Sequence, residues 1–354
     1  MRKISLSNVQ SGMKLARSIY TENGHILLGA GMELKQAYIN RLKDCNISEI
    51  YIEDEISKDI DVRDVINERT RVEAKALIKN IMDECKTTSH FTSDRVKSMV
   101  NRIIDELLEN KDILVNLSDL KTVDDYTFAH SVNVCVLSLI TGIRLGLNQL
   151  RLRDLGVGAL LHDIGKVVIP EEILKKPSQL TDDEFEKIKQ HTVLGYQMVK
   201  DNPNISASSA YIVLGHHERF DGSGYPLKIK GENIHLFARI VAIADVYDAL
   251  TSDRVYRKKI KVHEVIEYIT ALGAQQFDKT ILQCFVRNIA LYPVGTGVLL
   301  SDGAKGIIVD VNRELPTRPI VRIIYNNNGQ KADAFTEIDL TKRLNIMIVD
   351  TCEI

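Results

Sequence analysis

The sequence predicts a multidomain protein in which a central all-α domain lies between a small N-terminal α+β module and a small C-terminal β-domain. Its 354 residues are enough for two or three domains, each with its own apolar core. Strand-like runs are concentrated toward the two ends, whereas the middle of the chain has apolar residues at helical spacing. We therefore predict domains at residues 1–56, 57–118, 119–292 and 293–354.

The first module, residues 1–56, combines short strands with one helix. The runs at residues 26–28 and 50–52 are apolar and short, and Asn23-Gly24 is a turn signal before the first of them. Between the two runs, residues 34–44 have the periodicity of a helix. This mixture predicts an α+β module.

Residues 57–118 are charged and contain no proline, which favours helices. Apolar residues recur at helical spacing on one face. They are Val96, Met99, Val100, Ile103, Ile104, Leu107 and Leu108. Two interpretations stay open: the two helices cover neighbouring core, or they form a stalk through which a homodimer assembles.

Residues 119–292 are predicted to be mostly helical. Thr181 and Glu184 have the spacing of a capping box and predict a helix that continues through His191 to about Lys200. Residues 237–250 form a second apolar helix, interrupted by Asp245 and Asp248.

After Tyr292-Pro293 the pattern changes to strands. Strand-like runs lie at residues 298–300, 307–311, 320–325 and 346–349. Asp302-Gly303 and Asn328-Gly329 are turn signals of the kind that join antiparallel strands. A small C-terminal β-domain is the expected result.

Composition restricts the class of partner and the compartment. The formal charge of -2 and a pI near 6.5 argue against binding to duplex nucleic acid, although local Lys and Arg can still bind a phosphate-bearing small molecule. No apolar run is expected to span a membrane, and the N-terminus lacks the apolar core of a secretory signal. Five scattered cysteines without a C-x-x-C pair predict reduced thiols in the cytoplasm.

The central region carries His and Asp residues whose pattern indicates a metal centre. Asp163 and Asp245 follow or interrupt apolar helical stretches, where a lone buried carboxylate is costly. Imidazole and carboxylate ligands without thiolate suit iron or manganese as well as zinc. A carboxylate such as Asp163 can bridge two cations, and such pairs assist phosphoryl displacement. The candidate ligands are His130, His162, Asp163, His191, His216, His217 and Asp245.

These residues fall into motifs whose order and spacing resemble the HD-GYP phosphodiesterases, a branch of the HD-domain metal-dependent phosphohydrolases. The resemblance runs from about Leu120 through Phe285 and implies an HD-type helical fold for the central domain. The motifs are Asp124-x-Tyr126-Thr127-x-x-His130-Ser131, His162-Asp163-x-Gly165-Lys166, Lys176-Pro177, His191-x-x-x-Gly195, His216-His217-Glu218, Gly224-Tyr225-Pro226, Asp245-x-x-Asp248-Ala249-Leu250-Thr251 and Phe277-Asp278.

The resemblance implies two divalent metal ions, for which iron or manganese is the expected identity. One ion would be held by His130, His162, Asp163 and Asp245, and the other by Asp163, His191, His216 and His217. Asp163 would thus bridge the two ions. Some members of the family bind a third ion through a Glu four residues before the first His. Here that position is Tyr126, so we expect a binuclear site.

The resemblance also implies a substrate. The family hydrolyses cyclic di-GMP, a bacterial second messenger, to pGpG and often onward to GMP. Asp163 and Lys166 are the candidate catalytic residues, and Lys166 would stabilise charge on the scissile phosphate. Lys166, Tyr225, Arg254 and Arg257 are the candidate substrate contacts. If a third ion supports the second hydrolytic step, a binuclear site predicts pGpG as the product.

Alternative functions stay open at this point. One is a phosphodiesterase for 3′,3′-cGAMP or another nucleotide phosphoester, because only the base pocket would differ. Another is a non-catalytic receptor for a cyclic dinucleotide, although degenerate relatives of that kind usually lose metal ligands. Ser131 lacks the acid and base of a nucleophilic triad, which argues against serine catalysis. Asp248 is assigned no ligand role.

Overall fold

The structure, a computed structural model, describes residues 1–21, 25–45, 47–88, 91–110, 114–115, 126–252, 260–312 and 314–354. Backbone contacts divide the chain into two compact units. The first joins Met1–Asp64 and Ile289–Ile354 with a short segment at residues 114–115, and the second contains residues 65–110 and 126–288. The domain boundaries expected at residues 56, 118 and 292 remain predictions.

The N-terminal part of the first unit has five short strands and one helix. Its elements are β1 (Arg2–Ser5), β2 (Lys14–Leu15), β3 (Ile19–Tyr20), β4 (Ile26–Leu28), α1 (Gln36–Asp44) and β5 (Glu49–Glu53), with a 3-10 turn at Leu6–Asn8. Antiparallel strands run in the order β1-β5-β2, and β3 pairs with β4. The strands expected at residues 26–28 and 50–52 are confirmed. The helix begins two residues later than expected.

The C-terminal part of the first unit is a five-stranded antiparallel sheet in the order β10-β6-β7-β8-β9. Its strands are β6 (Gly297–Leu300), β7 (Lys305–Asp310), β8 (Ile320–Tyr325), β9 (Lys331–Asp339) and β10 (Ile348–Thr351). Gly303 and Gly329 have φ of 88° and 76°, which explains the two turn signals. Strand β9 was not predicted, because two of its alternating apolar positions are alanines, which are poor strand formers, and this edge strand is largely exposed.

The second unit is helical. Its elements are α2 (Glu68–Thr88), α3 (Ser93–Glu109), α4 (Tyr126–Arg144), α5 (Gln149–Leu161), α6 (Glu171–Leu174), α7 (Asp182–Val199), α8 (Ala207–Gly215), α9 (Leu236–Thr251), α10 (Val262–Gln276) and α11 (Lys279–Val286), with 3-10 turns at Ile164–Val168 and Gly231–Asn233. The expected fold class, a central helical domain with an N-terminal α+β module and a C-terminal β-domain, is confirmed.

The apolar face of α3 is covered inside the second unit. Val96, Val100, Ile103 and Ile104 are completely buried where α3 packs on α5, while α2 packs on α4. Of the two interpretations of this helix pair, covering the neighbouring core is therefore the one that the packing supports. Leu108, placed on the same face by the sequence pattern, is 43% exposed. A homodimer through this segment remains a prediction and would have to use another face.

Helix α4 bears on the expectation that no apolar run spans a membrane. Among the described residues, Thr127–Arg144 is long and apolar enough by length and composition alone. In the structure 72% of that window is buried inside the protein, because α5 and α9 pack along this helix. A buried core helix meets the same length and composition criteria, so this helix is weak evidence for a membrane span.

The predicted start of α7 is also confirmed. The Thr181 hydroxyl accepts a hydrogen bond from the Glu184 amide at 3.3 Å, and the Glu184 carboxylate accepts one from the Thr181 amide at 2.8 Å. This reciprocal pair is a capping box, which satisfies two amides that the helix itself leaves without a partner. It fixes the beginning of the helix that carries His191.

Candidate metal centre

The seven predicted metal ligands come together between five helices of the second unit. His130 is on α4, His162 and Asp163 follow the end of α5, His191 is on α7, His216 and His217 follow the end of α8, and Asp245 is on α9. All are buried except His217, which is partly exposed. They form two groups, each with ligand atoms within 4.8 Å of one another: His130, His162 and Asp245 in the first, and Asp163, His191, His216 and His217 in the second.

The two carboxylate oxygens of Asp163 face different groups. Oδ2 lies 3.3 Å from Nε2 of His162 and 3.8 Å from Nε2 of His130. Oδ1 lies 3.4 Å from Nε2 of His191 and 3.9 Å from Nε2 of His216. One carboxylate can therefore contribute an oxygen to each of two neighbouring cations.

Three of the histidines are oriented by main-chain carbonyls. Nδ1 of His162 donates to the carbonyl of Ala159 at 2.7 Å, and Nδ1 of His191 donates to that of Ile188 at 2.6 Å. Nδ1 of His216 lies 3.1 Å from the carbonyl of Ile212. A carbonyl only accepts, so each ring carries its hydrogen on Nδ1 and directs an Nε2 lone pair into the centre.

These lone pairs meet without a hydrogen between them. Nε2 of His191 lies 3.3 Å from Nε2 of His216, and in the neutral rings both atoms are acceptors. In the described part of the chain, Nε2 of His162 and Oδ1 of Asp163 are buried without a hydrogen-bond partner. Buried acceptors that converge in this way need a cation. The donor set therefore fits divalent metal ions.

His130 is held by carboxylates instead of a carbonyl. Its Nδ1 donates to Asp248 at 2.7 Å, while its Nε2 lies 3.0 Å from Asp245. The other oxygen of Asp248 accepts a hydrogen bond from the Asn133 side chain at 2.7 Å. Asp248 belongs to neither group of candidate ligands, but its contact with His130 orients one of them. Sequence reasoning missed this role, although the Asp245-x-x-Asp248 spacing puts both carboxylates on the same helix face.

Burial keeps three of the imidazoles neutral. It lowers the pKa of His191 to about 4, that of His217 to about 3, and that of His216 well below its usual value. Neutral imidazole is the form that binds a metal. Burial also acts to lower the pKa of His130, but hydrogen bonds to Asp245 and Asp248 outweigh it and raise that pKa to about 9. The site between Nε2 of His130 and Asp245 can thus hold a proton, and a metal ion that binds there would replace that proton.

Lys166 lies at the edge of the centre and pairs with the bridging carboxylate. Its ammonium donates to Oδ2 of Asp163 at 2.6 Å, and its side chain is 28% exposed. Burial raises the pKa of the Asp163 carboxyl, but the ammonium and the nearby imidazoles outweigh burial and hold that pKa well below its usual value. Asp163 is consequently a carboxylate at neutral pH.

A close backbone approach brings Asp163 and His191 together. The 3-10 turn after Asp163 contacts α7 at Gly165 and Gly195. A Cβ atom at Gly165 would lie 2.6 Å from the Gly195 amide nitrogen and even closer to the His191 carbonyl. A larger residue at position 165 would therefore push the turn away from α7.

The loop that contains Gly224, Tyr225 and Pro226 covers the second group of ligands. The Tyr225 ring stacks on His217, with centroids 4.8 Å apart and an interplanar angle of 30°. Glu218 accepts hydrogen bonds from the amides of Leu227 and Lys228 at 2.6 and 3.1 Å and so holds the loop. Tyr225 therefore lines the centre. The predicted contacts Arg254 and Arg257 lie outside the described residues, as does the side chain of Tyr126.

The fold and the site together define a multidomain protein whose helical unit contains a candidate His/Asp metal centre. Comparison with known proteins agrees with this class. Residues 105–281, about half of the chain, match the model of the HD domain family, and residues 297–354 match a KOW domain associated with the HD domain. The chain belongs to the HD domain family, whose phosphohydrolases depend on metal ions, and the resemblance to its HD-GYP branch is confirmed.

Relatives with curated functions are similar over part of their length. A cyclic di-GMP phosphodiesterase of Pseudomonas aeruginosa is 36% identical over 253 residues, which are 72% of this chain and 61% of the relative. A 3′3′-cGAMP-specific phosphodiesterase of Vibrio cholerae is 35% identical over 53% of this chain and 43% of its own length. The chain thus spans less than two thirds of either relative.

A solved structure has a similar fold. An HDG"Y"P protein from Bdellovibrio bacteriovorus superposes with a TM-score of 0.53 at 18% identity, covering 80% of this chain and 97% of the other. At this identity the likeness concerns the fold alone.

Proposed function

We propose that this protein is a metal-dependent phosphodiesterase that hydrolyses cyclic di-GMP to pGpG. The observation that carries the proposal is the position of Asp163, whose two oxygens face two separate groups of His and Asp ligands. Paired divalent ions are suited to the in-line displacement of a phosphodiester. The similarity to a cyclic di-GMP phosphodiesterase over 72% of the chain supports the choice of substrate.

The reaction adds water across one phosphodiester bond. The water oxygen forms a bond to phosphorus, the bond from phosphorus to a 3′ oxygen breaks, and the proton from water ends on that leaving oxygen. Two bound cations would lower the pKa of the water and offset the charge of the phosphate. His130, His162, Asp163 and Asp245 would hold one cation, and Asp163, His191, His216 and His217 the other.

Lys166 is the residue of this chain that we assign to the charge that develops on the phosphate. Its ammonium is partly exposed at the edge of the centre and lies 2.6 Å from Asp163. A phosphate oxygen arriving beside it would accept a hydrogen bond from the same ammonium, which has three donors. Tyr225 would line the pocket through its ring, and Arg254 and Arg257 would bind phosphate oxygens.

The identity and number of the metals are part of the proposal. A ligand set of five imidazoles and two carboxylates without thiolate suits iron or manganese. Tyr126 replaces the Glu that a third ion would need, so we expect two ions and pGpG as the end product. We also place the protein in the cytoplasm, since its five cysteines are unpaired.

A second candidate substrate is 3′,3′-cGAMP. The 35% identity to a cGAMP-specific phosphodiesterase of Vibrio cholerae favours it, and the same ligands would serve both reactions. A receptor without catalysis is less consistent with the chain, because every ligand of the two groups is present and inward-facing.

Product analysis separates these functions. Anaerobically purified protein, loaded with iron or manganese, is incubated with cyclic di-GMP and with 3′,3′-cGAMP, and the products are resolved by chromatography. Conversion of cyclic di-GMP to pGpG at the higher kcat/KM is the expected result. Faster hydrolysis of cGAMP would favour the second candidate, and binding of either nucleotide without turnover under both metals would contradict an enzyme.

A further inference from the structure

Two aromatic rings and an ammonium group form a corner beside the metal centre. Phe185 and Tyr225 meet edge to face, with centroids 6.4 Å apart and an interplanar angle of 78°. The ammonium of Lys189 lies 4.8 Å from the centroid of Phe185 and 5.5 Å from that of Tyr225. Phe185, Tyr225 and Lys189 are named here the aromatic corner.

The aromatic corner is continuous with the metal ligands. Tyr225 stacks on His217, and Lys189 lies two residues before His191 on α7. The rings of His191 and His217 are themselves 5.2 Å apart. A ligand whose phosphate is held at the metal centre therefore has the aromatic corner within reach of its neighbouring groups.

Neither Phe185 nor Lys189 is explained by the stability of the fold. The Phe185 side chain is exposed, at 45%, rather than packed in the core of the second unit. Lys189 pairs with Glu186, whose side chain is 67% exposed. Surface ion pairs of this kind contribute little to stability. The Lys189 ammonium can therefore leave Glu186 and bind a ligand with little loss of folding free energy.

We propose that the aromatic corner binds one purine base of the cyclic dinucleotide and that Lys189 selects guanine over adenine. This inference rests on the proposed function and assigns its base subsite. A flat base can stack on one ring while its edge meets the other, as bases do on aromatic side chains in single-stranded nucleic acids. The N7 and O6 atoms of guanine accept hydrogen bonds from an ammonium, whereas adenine presents an amino donor in place of O6.

The roles of the two α7 residues differ. Phe185 provides a stacking surface that any purine can use, so its loss weakens binding of guanine and adenine alike. Lys189 discriminates between the bases, so its loss reduces the difference in affinity between guanine and adenine. Neither residue contacts the reacting phosphate in this assignment, and both act on binding rather than on the chemical step.

The test compares Phe185→Leu and Lys189→Met with wild-type protein loaded with manganese. Steady-state kinetics are measured with cyclic di-GMP and with cyclic di-AMP, and equilibrium dialysis of the metal-free proteins, in which no hydrolysis is expected, gives the binding of each nucleotide. Tyr268→Leu and Lys187→Met are matched controls, since they change an exposed aromatic on α10 and an exposed lysine on the opposite side of α7. Phe185→Tyr keeps the ring and serves as the conservative variant.

We expect Lys189→Met to raise KM and Kd for cyclic di-GMP about tenfold while kcat changes less than about twofold. The preference for cyclic di-GMP over cyclic di-AMP should fall by a similar factor. Phe185→Leu should weaken the binding of both nucleotides about tenfold, whereas Phe185→Tyr should bind them as wild type does. The control variants should behave as wild type.

The outcomes separate the subsite from the function itself. An unchanged guanine preference in Lys189→Met, or unchanged Kd in Phe185→Leu, overturns the subsite while wild-type turnover leaves the function in place. If wild-type protein binds cyclic di-GMP without hydrolysing it, the proposed function fails, and the dialysis still decides the subsite. If wild-type protein neither binds nor hydrolyses the nucleotide, both are contradicted.

Discussion

The Nε2 atoms of His191 and His216 lie 3.3 Å apart, although both rings already donate their Nδ1 hydrogens to main-chain carbonyls. Two lone pairs at this distance repel each other unless a cation lies beside both. Oδ1 of Asp163 faces the same point, 3.4 Å from the His191 nitrogen. These side chains are thus pre-arranged around a positive charge, and within the described residues Oδ1 of Asp163 has no hydrogen-bond donor at this point.

The bridging position of Asp163 predicts that one substitution affects two metals. Asp163→Ala should reduce the bound metal from two ions per chain to much less than one and abolish hydrolysis, because both groups lose an oxygen ligand. Asp245→Ala, which belongs to one group only, should keep a larger share of the metal. Metal analysis of anaerobically purified protein measures both, with the exposed Asp221→Ala as control. Equal metal loss in Asp163→Ala and Asp245→Ala would contradict the bridge.

Lys166 should act on turnover rather than on metal binding. Lys166→Met removes the ammonium that lies beside Asp163 and, in our assignment, beside the phosphate. We expect kcat to fall roughly 100-fold, the usual effect of losing one donor to a developing charge, while most of the metal stays bound. Lys200→Met, on the same unit and partly exposed, is the control. Wild-type kcat in Lys166→Met would rule out the assigned role.

Asp248 should act on metal affinity through His130. Asp248→Asn replaces the carboxylate that accepts the Nδ1 hydrogen of His130 at 2.7 Å. Loss of a carboxylate that orients a histidine ligand typically weakens metal binding about 10- to 100-fold. A metal titration that resolves the two ions should show weaker binding only for the ion held by the first group, which contains His130. Equal weakening of both ions, or the same effect from the exposed Asp183→Asn, would argue for a general structural effect.

Gly165 should be sensitive to the addition of a single methyl group. In Gly165→Ala the new Cβ would lie against the Gly195 amide and the His191 carbonyl, so the turn must move. We expect a loss of about 1–3 kcal/mol in the free energy of unfolding, together with weaker metal binding. Urea unfolding followed by circular dichroism measures the first effect. Gly29→Ala, whose Cβ would meet only Met32 at 4.0 Å, should cost far less.

The first unit contains an ion pair with a defined pH dependence. The Arg322 guanidinium donates to both oxygens of Asp59 at 2.6 Å and lowers the pKa of that carboxyl to about 2. The pair therefore contributes stability above pH 4, and this contribution is lost as pH falls from about 4 to about 2. Because the Asp59 side chain is 67% exposed, the effect should be small and screened by salt. Thermal unfolding of Asp59→Asn should differ from wild type at pH 6 and converge with it at pH 2.

The clustering of the candidate ligand residues could be predicted because their chemistry is visible in the chain. Asp163 and Asp245 interrupt apolar helical sequence, and buried carboxylates need a positive partner wherever they are found. The capping box at Thr181 likewise fixed the start of α7 from local rules alone. Both predictions depend on spacing within a few residues.

The missed features depend on contacts between distant segments. The role of Asp248 follows from its contact with His130, 118 positions away in the chain, and no local pattern separates such a residue from a ligand. In the sequence Phe185 cannot be distinguished from any other exposed helix residue, because its contact with Tyr225 is visible only in the structure. Strand β9 is held by its pairing with β8, since its own side chains are largely exposed.

The most direct test of the account is a metal titration of the apoprotein under anaerobic conditions, in which the conversion of cyclic di-GMP to pGpG is measured at each addition of iron or manganese. If Asp163 bridges the two ligand groups, the rate of pGpG formation rises until two ions are bound per chain and then stays constant. Full activity with one ion, a further rise with a third, or no pGpG at any metal content would contradict it.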